Sequence, residues 1–320
     1  MNVLVTGATT PLGHATVRAL LARGDVERVV AVGLEPDPPG LPTDDARLAY
    51  VRADLTRPRV VHDLLYGEAR RDRVDVVVHG VLHRAATDRG PRVHAVNVEA
   101  TRMLLRACAA HPTIRRFVLR SGGEVYAVRP DEPNLIDEDH PLELDPRAPQ
   151  WQRDRVEADV IAQGQLAHGQ LDIAILRCAE ILAADVGSQL WDYLATAVCL
   201  RPLGFDPMLN VLSLADAVRA LVAAVASPAR GVFNIPGLDT LPLSALIARW
   251  GRRDLPLPGP LLAPLYRLRT RTIGLDFRYD LNARRFHGGG VLDGARARAA
   301  LGYAPAQPVP ELARGRRAGT

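Results

Sequence analysis

A glycine-bearing turn near the start of the chain constrains the fold more than any other feature. Residues 6–13, TGATTPLG, follow the apolar run at 2–6 and open a helical pattern. Gly7 permits a tight turn, and Gly13 lets the following helix approach a strand closely. Free N–H groups at the start of such a helix, around Leu12, can bind the pyrophosphate of a dinucleotide. A purely structural turn is the alternative interpretation.

The pattern beyond this turn predicts a parallel sheet flanked by helices. Short runs rich in valine and isoleucine alternate with stretches that carry apolar residues at helical spacing. The predicted strands cover 2–6, 28–32, 48–52, 75–79, 116–121 and 172–177. The predicted helices cover 12–23, 60–70, 93–111 and 152–167. The strand runs are almost continuously apolar, as expected for strands that are buried on both faces.

The order of elements changes after Arg177, and the remainder predicts a smaller packed lobe. We expect helices at 187–200, 214–226, 241–251 and 293–301, and extended segments at 209–213 and 231–235. The predicted fold class is α/β, a Rossmann-type doubly wound parallel sheet with a smaller C-terminal α/β substrate lobe. The predicted domains are residues 1–178 and 179–320, with parts of 209–235 returning to the main domain.

Charge and composition limit the partners that this chain is expected to have. All 40 basic residues are arginine, so no lysine is available for a Schiff base. Residues from 251 onward contain 13 arginines against 5 acidic residues, but the arginines are scattered rather than interleaved with aromatics. We therefore expect a solvated basic surface and no nucleic-acid partner. The segment 258–272, apolar and then basic, has two interpretations: peripheral membrane association or packing of the C-terminal lobe.

The N-terminal segment and the cysteines favour a cytoplasmic protein without a metal. The chain enters a strand pattern without a basic n-region or cleavage site, and it has no apolar run of the ~20 residues that cross a bilayer. Cys108, Cys178 and Cys199 lie in apolar stretches without metal-ligand spacing, which predicts buried free thiols. His79 and His83 are expected to be structural or lining residues.

One acidic residue bears on the type of dinucleotide. Glu35 follows the second predicted strand, 22 residues beyond Gly13, where a carboxylate can accept hydrogen bonds from the adenosine ribose hydroxyls. This carboxylate would repel a 2′-phosphate, and no arginine follows it in GLEPDPPG. NAD is therefore favoured over NADP. An ordinary loop acid is the alternative interpretation of Glu35.

Several segments together resemble one enzyme family over nearly the whole chain. TGATTPLG, ADLTRP, HGVLH, VNVEATRMLLRAC, LRCAEIL, LADAVRAL and GVFNIPG resemble the extended short-chain dehydrogenase/reductases, the NAD-dependent epimerase/dehydratase family. The resemblance implies that Asp54 and Leu55 lie at the adenine and that Gly80 and Val81 border the cofactor. It also implies a homodimer that pairs through the helices at 93–111 and 152–167.

One residue of the turn departs from the family fingerprint TGxxGxxG. Thr10 stands where the middle glycine belongs, and a side chain there would crowd the pyrophosphate. Three outcomes are open: the loop shifts, the hydroxyl makes a contact, or the affinity for the cofactor falls.

The resemblance also implies where the catalytic residues should be. The family uses a Ser or Thr after the fifth strand and a Tyr-x-x-x-Lys on the next helix to couple hydride transfer to proton transfer. Alignment through SGGEVYA and PQWQRDRVEAD puts Gly122 at the hydroxyl position, Trp151 at the tyrosine and Arg155 at the lysine. Indole has no useful titratable proton, whereas Arg155 retains a charge and donors that can bond the nicotinamide ribose.

The remaining candidates for chemistry are weak, and two functions stay open. Ser121 can replace the missing hydroxyl only if the loop shifts, Glu124 is either an acid/base group or a solvated loop acid, and Tyr126 matches a structural position. The first hypothesis is a cofactor-binding protein without ordinary short-chain dehydrogenase chemistry, acting as a sensor or scaffold or binding a small-molecule ligand for a non-redox purpose. The alternative is an active noncanonical oxidoreductase, epimerase or dehydratase acting on a sugar nucleotide or another small alcohol or carbonyl metabolite.

Overall fold

The computed structural model describes most of the chain, namely residues 1–38, 40–83, 85, 87–129, 132–169, 171–274 and 276–309. Its strands are β1 (Asn2–Thr6), β2 (Arg28–Gly33), β3 (Leu48–Arg52), β4 (Val76–His79), β5 (Arg116–Gly122), β6 (Leu135–Ile136), β7 (Asp172–Cys178), β8 (Glu180–Ile181), β9 (Val198–Pro202), β10 (Met208–Leu212), β11 (Gly231–Ile235), β12 (Asp239–Pro242), β13 (Arg253–Leu257) and β14 (Val291–Leu292). Its helices are α1 (Pro11–Leu21), α2 (Pro58–Asp63), α3 (Pro91–His94), α4 (Ala100–Ala109), α5 (Gln150–His168), α6 (Gln189–Leu194), α7 (Leu214–Ala226), α8 (Leu243–Arg249), α9 (Gly259–Ile273), α10 (Tyr279–Gly288) and α11 (Ala295–Leu301). Two π-helical segments, Leu64–Ala69 and Ala95–Glu99, continue α2 and join α3 to α4.

The central sheet is parallel and doubly wound, which confirms the predicted fold class. Its seven strands lie in the order β11-β7-β5-β4-β1-β2-β3. The chain winds outward from β1 to β3, returns at β4 and then winds the other way. Strand β11 pairs in parallel with β7, so this late segment lies in the main sheet. The proposed domain boundary at residue 178 stays a prediction.

Two helical layers cover the sheet because its strands carry apolar side chains on both faces. Val3, Val5 and Leu176 belong to a core that includes residues of α1 and α7. On the opposite face, Phe117 and Ile175 belong to a core that includes residues of α2, α4 and α5. Removing apolar area of this extent from water is the main stabilising contribution to such a fold.

The C-terminal lobe has its own aromatic core, and one prediction there was wrong. Trp250, Tyr193 and Phe286 are almost completely buried in this third cluster. The predicted helix at 187–200 ends at Leu194 in α6. The chain then forms β9, which pairs in parallel with β13. The β-branched and proline-containing end of this segment favours the extended conformation over a longer helix.

The basic segment near residue 260 is an amphipathic helix, α9, that packs on the lobe with one face. Leu262 and Tyr266 are fully buried. Leu261, Leu268 and Ile273 on the same helix are exposed. No described helix combines the length and the apolar character needed to cross a membrane. The buried face of α9 is consistent with packing of the lobe, and its exposed apolar side chains are consistent with peripheral membrane association. Both interpretations of this segment therefore stay open.

Candidate functional site

The glycine turn lies where β1 and β4 end side by side. The sheet order reverses between these strands, and ligands of α/β proteins bind at such a switch point. Gly7 has a φ of +70°, a conformation that glycine adopts without strain. A Cβ atom on Gly7 would lie 3.4 Å from the carbonyl carbon of Gly80 and from the backbone nitrogen of Val81. The structure therefore brings these three predicted cofactor residues together.

Gly13 allows α1 to start directly against this turn. A Cβ atom there would lie 2.7 Å from the Cα of Ala8 and would overlap the carbonyl of Gly7. The adjacent Leu12 side chain is buried in the core. Leu12 can therefore offer a ligand its backbone N–H but not its side chain.

The hydroxyl of Thr10 caps the helix at which a pyrophosphate is predicted to bind. Thr10 Oγ1 donates to the carbonyl of Gly7 at 2.8 Å and accepts from the N–H of Gly13 at 3.1 Å. Which of the three outcomes considered for Thr10 applies to the cofactor stays a prediction, since these bonds are made within the protein. Pro11, the first residue of α1, has no N–H at all. At the start of α1 the N–H of Gly13 is therefore already bonded, and position 11 has none, so fewer backbone donors are available to a pyrophosphate. The sequence analysis did not identify the effect of Pro11.

Replacing Thr10 by glycine should free the N–H of Gly13 and clear the pyrophosphate position. We expect Thr10→Gly to bind NAD about five- to tenfold more tightly, because one hydrogen bond to an anion becomes available. Glycine is a tolerated N-cap, so the free energy of unfolding should fall by only about a few tenths of a kcal/mol. Isothermal titration calorimetry and urea unfolding would measure the two quantities.

Ser213 offers a matched control for this substitution. Its hydroxyl caps α7 by accepting from the N–H of Asp216 at 3.1 Å. Ser213→Gly should leave NAD affinity unchanged. Unchanged or weaker NAD binding by Thr10→Gly would contradict the prediction that the cap withholds a donor.

The predicted ribose ligand stands next to the glycine turn. Glu35 is exposed, and a hydrogen bond from the Thr9 side chain is the largest cause that lowers the pKa of its carboxyl group. The N–H of Leu34 also donates to this carboxylate at 3.1 Å. Glu35 is therefore charged and tied to the turn. Its contact with ribose stays a prediction.

The predicted adenine residues are partly occupied by local contacts. Asp54 Oδ1 accepts from the hydroxyl of Thr56 at 2.6 Å and from its N–H at 3.1 Å. The Thr56 side chain is also the largest cause that lowers the pKa of Asp54. Leu55 is buried. The contact of both residues with adenine stays a prediction.

The missing hydroxyl at Gly122 is replaced in space by a carboxylate. A Cβ atom on Gly122 would lie 2.5 Å from the Cδ of Glu124. The Glu124 side chain is only 19% exposed and forms an ion pair with Arg155. Gln152 Nε2 donates to the Glu124 carbonyl at 2.7 Å and so fixes the loop. The interpretation of Glu124 as a solvated loop acid was therefore wrong.

Trp151 and Arg155, which the sequence predicts at the family's tyrosine and lysine positions, stack on each other. The guanidinium carbon of Arg155 lies 5.2 Å from the centroid of the Trp151 ring, within cation–π range. Burial is the largest cause that lowers the pKa of Arg155 to about 9, and the charge of Arg120 lowers it further. Trp151 Nε1 is buried and has no acceptor in the described part of the chain. The predicted contact of Arg155 with ribose would require Arg155 to share its donors with Glu124.

The two remaining polar candidates are committed elsewhere. Ser121 Oγ donates to Asp159 at 2.6 Å, so its hydroxyl is engaged by α5 and does not replace the side chain missing at Gly122. The hydroxyl of Tyr126 donates to Asn234 at 2.6 Å, and burial raises the pKa of Tyr126 to about 12. Tyr126 therefore has the structural role that its position implies.

The predicted lining histidine and the thiols also have structural environments. His79 is buried between the hydroxyls of Thr6 and Thr101. The three cysteines are buried free thiols. Within the described residues, no group of three or more His, Cys, Asp or Glu side chains is arranged to hold a metal ion.

A cavity of about 610 Å³ opens beside Gly122, between the main sheet and the C-terminal lobe. Trp151 and Cys178 line it from the main sheet and α5, and Asn282 lines it from α10. Arg285 of α10 forms an ion pair with Glu180, and both residues line the cavity. Gly122, Trp151 and Arg155, the residues predicted at the catalytic positions, therefore line a space that can hold a small molecule, as substrate cavities between lobes do.

Comparison with known proteins identifies the family. The model of the NAD-dependent epimerase/dehydratase family matches residues 3–235, from β1 through the glycine turn and the Gly122 loop to β11. The chain belongs to this family. The resemblance inferred from the sequence is thereby confirmed.

Two relatives match nearly the whole length of this chain. An uncharacterised protein of Mycobacterium tuberculosis is 32% identical over 314 residues, which cover 95% of this chain and 80% of the relative. The 3-diazoavenalumate denitrifying reductase of a Streptomyces species is 30% identical over 320 residues, which cover 96% of this chain and 97% of the relative.

Solved structures share the fold at lower identity. The Bordetella bronchiseptica enzyme WbmH in complex with NAD⁺ has a TM-score of 0.72 at 17% identity, covering 96% of this chain and 93% of its own. UDP-glucuronic acid 4-epimerase from Bacillus cereus, in complex with UDP-glucuronic acid and NAD, has a TM-score of 0.70 at 18% identity, covering 96% and 95%. These likenesses show the fold of the epimerase/dehydratase family member described here.

One further cavity residue escaped the sequence analysis. Arg120 lies on β5 within the run RFVLRS and lines the cavity. The available signal was an arginine inside a strand that is predicted to be buried on both faces. The apolar residues of β5 predict a strand by themselves, and they give no indication of where the Arg120 side chain lies.

Proposed function

We propose that this family member binds a nicotinamide dinucleotide and reduces a small anionic substrate without the tyrosine-dependent proton transfer of its family. The observation that carries this proposal is the set of side chains at the three catalytic positions. Glu124 occupies the space beside Gly122 and pairs with Arg155. Arg155 in turn stacks on Trp151. These side chains are packed against one another and offer no tyrosine acid.

The residues of the turn fit the dinucleotide that the family name implies. Gly7, Gly13 and Gly80 let the turn, the start of α1 and the end of β4 pack closely together, and Glu35 provides a charged acceptor beside the turn. The charge of Glu35 disfavours a 2′-phosphate, which supports NAD over NADP. When bound in its reduced form, the nicotinamide supplies a hydride to the substrate.

The missing acid restricts which reductions this chain can assist. Reduction of a carbonyl leaves an alkoxide that requires a proton, and the indole of Trp151 does not supply one near neutral pH. Replacement of a diazonium group requires no proton: a C–H bond forms from hydride, the C–N bond breaks, and N₂ leaves with its bonding electrons. The Streptomyces relative, named as a denitrifying reductase of a diazo compound, supports this class of reaction.

A paired substrate assay tests the proposal. We expect purified protein to accelerate oxidation of NADH by 4-carboxybenzenediazonium, with benzoate as product, above the rate without protein. With 4-carboxybenzaldehyde, the wild-type protein should show no acceleration. The double variant Trp151→Tyr with Arg155→Lys supplies the tyrosine and lysine, so it should gain activity toward the aldehyde. Wild-type turnover of the aldehyde, or no acceleration with the diazonium, would contradict the proposal.

A second candidate function is cofactor binding without turnover, as in a sensor or scaffold. The packing of Glu124, Arg155 and Trp151 at the predicted catalytic positions favours it, because these side chains offer no tyrosine acid for turnover. This candidate predicts NAD binding by calorimetry together with inactivity toward both probes. Epimerase or dehydratase chemistry on a sugar nucleotide has less support, since the tyrosine position is occupied by Trp151.

Three further expectations about partners and location remain proposals. Homodimerisation would pair α4 and α5 with their counterparts in a second copy. The exposed apolar side chains of α9 leave contact with a membrane surface open. Residence in the cytoplasm and the lack of a nucleic-acid partner rest on the sequence patterns alone.

A further inference from the structure

Arg120 is a partly buried cation that has no carboxylate partner among the described residues. It projects from β5, between Leu119 and Ser121, and lines the cavity beside Gly122. Its Nε atom is buried and has no acceptor in the described part of the chain. Among the described residues, no acidic side chain lies within ion-pair distance of its guanidinium. Burial is the largest cause that lowers the pKa of Arg120.

Arg155 and Arg285, two other arginines that line the cavity, differ from Arg120 because each has a carboxylate partner. Arg155 pairs with Glu124, and Arg285 pairs with Glu180. These pairs are neutral as units, whereas the partly buried Arg120 contributes a positive charge that has no paired carboxylate among the described residues. An unpaired buried charge is costly, and its retention beside a cavity marks a position where a ligand supplies the opposite charge.

We propose that Arg120 is the anion anchor of the cavity and binds the carboxylate of a monoanionic, largely apolar substrate. A planar guanidinium accepts a carboxylate in a two-pronged arrangement. The single charge of Arg120 matches a monoanion, whereas a diphosphate would bring additional negative charge to the cavity that Glu124 also lines. This inference deepens the proposed function by naming the substrate class, and it requires binding at the cavity but not turnover.

The walls of the cavity fit the remainder of such a molecule. Ile136, Ile181 and Leu292 present apolar side chains, and Trp151 presents an aromatic one. An aromatic carboxylic acid can therefore place its ring against these side chains while its carboxylate reaches Arg120. Its neutral amide has the same shape but lacks the charge, so it isolates the contribution of the anion.

Cinnamate and cinnamamide are the probes for this test. Binding is measured by quenching of tryptophan fluorescence in the full-length protein with NAD present. We expect wild-type protein to bind cinnamate about tenfold or more tightly than cinnamamide. In Arg120→Gln, cinnamate affinity should fall about 10- to 100-fold, with cinnamamide affinity unchanged. Arg120→Lys, which keeps the charge but loses the fork, should retain an intermediate affinity for cinnamate.

Arg59 provides a charge-matched control outside the cavity. It is exposed on α2, so Arg59→Gln removes the same charge without touching the proposed site. This variant should bind cinnamate as the wild-type protein does. Thermal unfolding of Arg120→Gln and Arg120→Lys establishes that each variant is folded.

Several outcomes would overturn the anchor. One is equal cinnamate affinity in wild-type protein and Arg120→Gln. Another is an equal loss of cinnamate and NAD affinity in that variant, which would assign Arg120 to the cofactor. Tighter binding of UDP than of cinnamate, lost in Arg120→Gln, would assign it to a diphosphate. If cinnamate binds through Arg120 while the diazonium assay shows no turnover, the anchor stands and the reductase proposal fails.

Discussion

Replacing Asp159 by asparagine should lower the free energy of unfolding by about 3–5 kcal/mol. Asp159 and Arg177 are both almost completely buried, and two hydrogen bonds of 2.7 and 3.1 Å join them. The same carboxylate accepts from Ser121 and Gln163. An amide in its place removes the negative charge and leaves the Arg177 guanidinium uncompensated in the core. Urea unfolding followed by circular dichroism measures the loss.

An exposed ion pair between α5 and α4 provides the control for this substitution. Glu157 of α5 pairs with Arg102 at 2.9 Å, and its side chain is 45% exposed. Because solvent screens exposed pairs, Glu157→Gln should cost at most about 0.5 kcal/mol. Similar losses in the two variants would show that burial does not set the contribution of Asp159.

The buried pair also bears on the candidate site. Asp159 binds the Ser121 hydroxyl, and Ser121 precedes the loop that carries Gly122 and Glu124. Arg177 lies on β7, directly before Cys178 at the cavity wall. The pair therefore joins α5 to the carboxyl ends of the two strands that form the floor of the cavity. We expect loss of the pair to loosen the site before the sheet itself unfolds.

The central sheet was predictable because its determinants are local in sequence. Continuous apolar runs such as the one in β4, and the glycine turn at Gly7 and Gly13, determine strand, turn and helix without knowledge of tertiary contacts. The segment after Leu194 was mispredicted because helical and strand patterns overlap in a short apolar stretch. Pairing with β13, a non-local interaction, decides that segment in favour of a strand.

The candidate site was only partly predictable, because its side chains contact residues that are distant in sequence or lie across a tight turn. Alignment located Gly122, Trp151 and Arg155, but it did not reveal that Glu124 folds back over Gly122. Nor did the sequence reveal that Arg120 lines the cavity without a carboxylate partner among the described residues. Both properties depend on side-chain directions and on contacts between distant elements.

The substitutions at the catalytic positions depend on one another. The carboxylate of Glu124 needs the space that a side chain at position 122 would occupy. Arg155 needs that carboxylate as its partner, and its guanidinium stacks on Trp151. Because these side chains fit together as a group, they support the proposal of a site whose chemistry differs from that of the family.

Acidification from neutral pH to about pH 4 should destabilise the protein by about 3 kcal/mol through His79 alone. Burial lowers the pKa of His79 from its ordinary value of 6.5 to about 4. Above pH 6.5 the imidazole is neutral in both the folded and the unfolded chain. Between these two values the unfolded chain binds more protons, so the free energy of unfolding falls as the pH falls. Urea unfolding across this range gives the slope.

The hydrogen bonds of His79 give this effect a functional consequence. The hydroxyl of Thr101 donates to the Asn97 carbonyl, so it accepts from His79 Nε2–H. His79 Nδ1 then accepts from Thr6 Oγ1, which also accepts from the N–H of Gly80. A proton on Nδ1 reverses the bond to Thr6 and disturbs the support of Gly80, where the dinucleotide is proposed to lie.

Two variants separate His79 from the other groups that titrate in this range. His79→Gln removes the proton-binding group, so the unfolding free energy should lose about 3 kcal/mol of its variation between pH 6.5 and pH 4. His62→Gln changes a histidine whose side chain is 67% exposed, so the wild-type pH dependence should persist. If His79→Gln kept the wild-type slope, other buried groups would have to account for the acid sensitivity. A parallel loss of NAD affinity at low pH, abolished in His79→Gln, would connect the buried imidazole to the cofactor site.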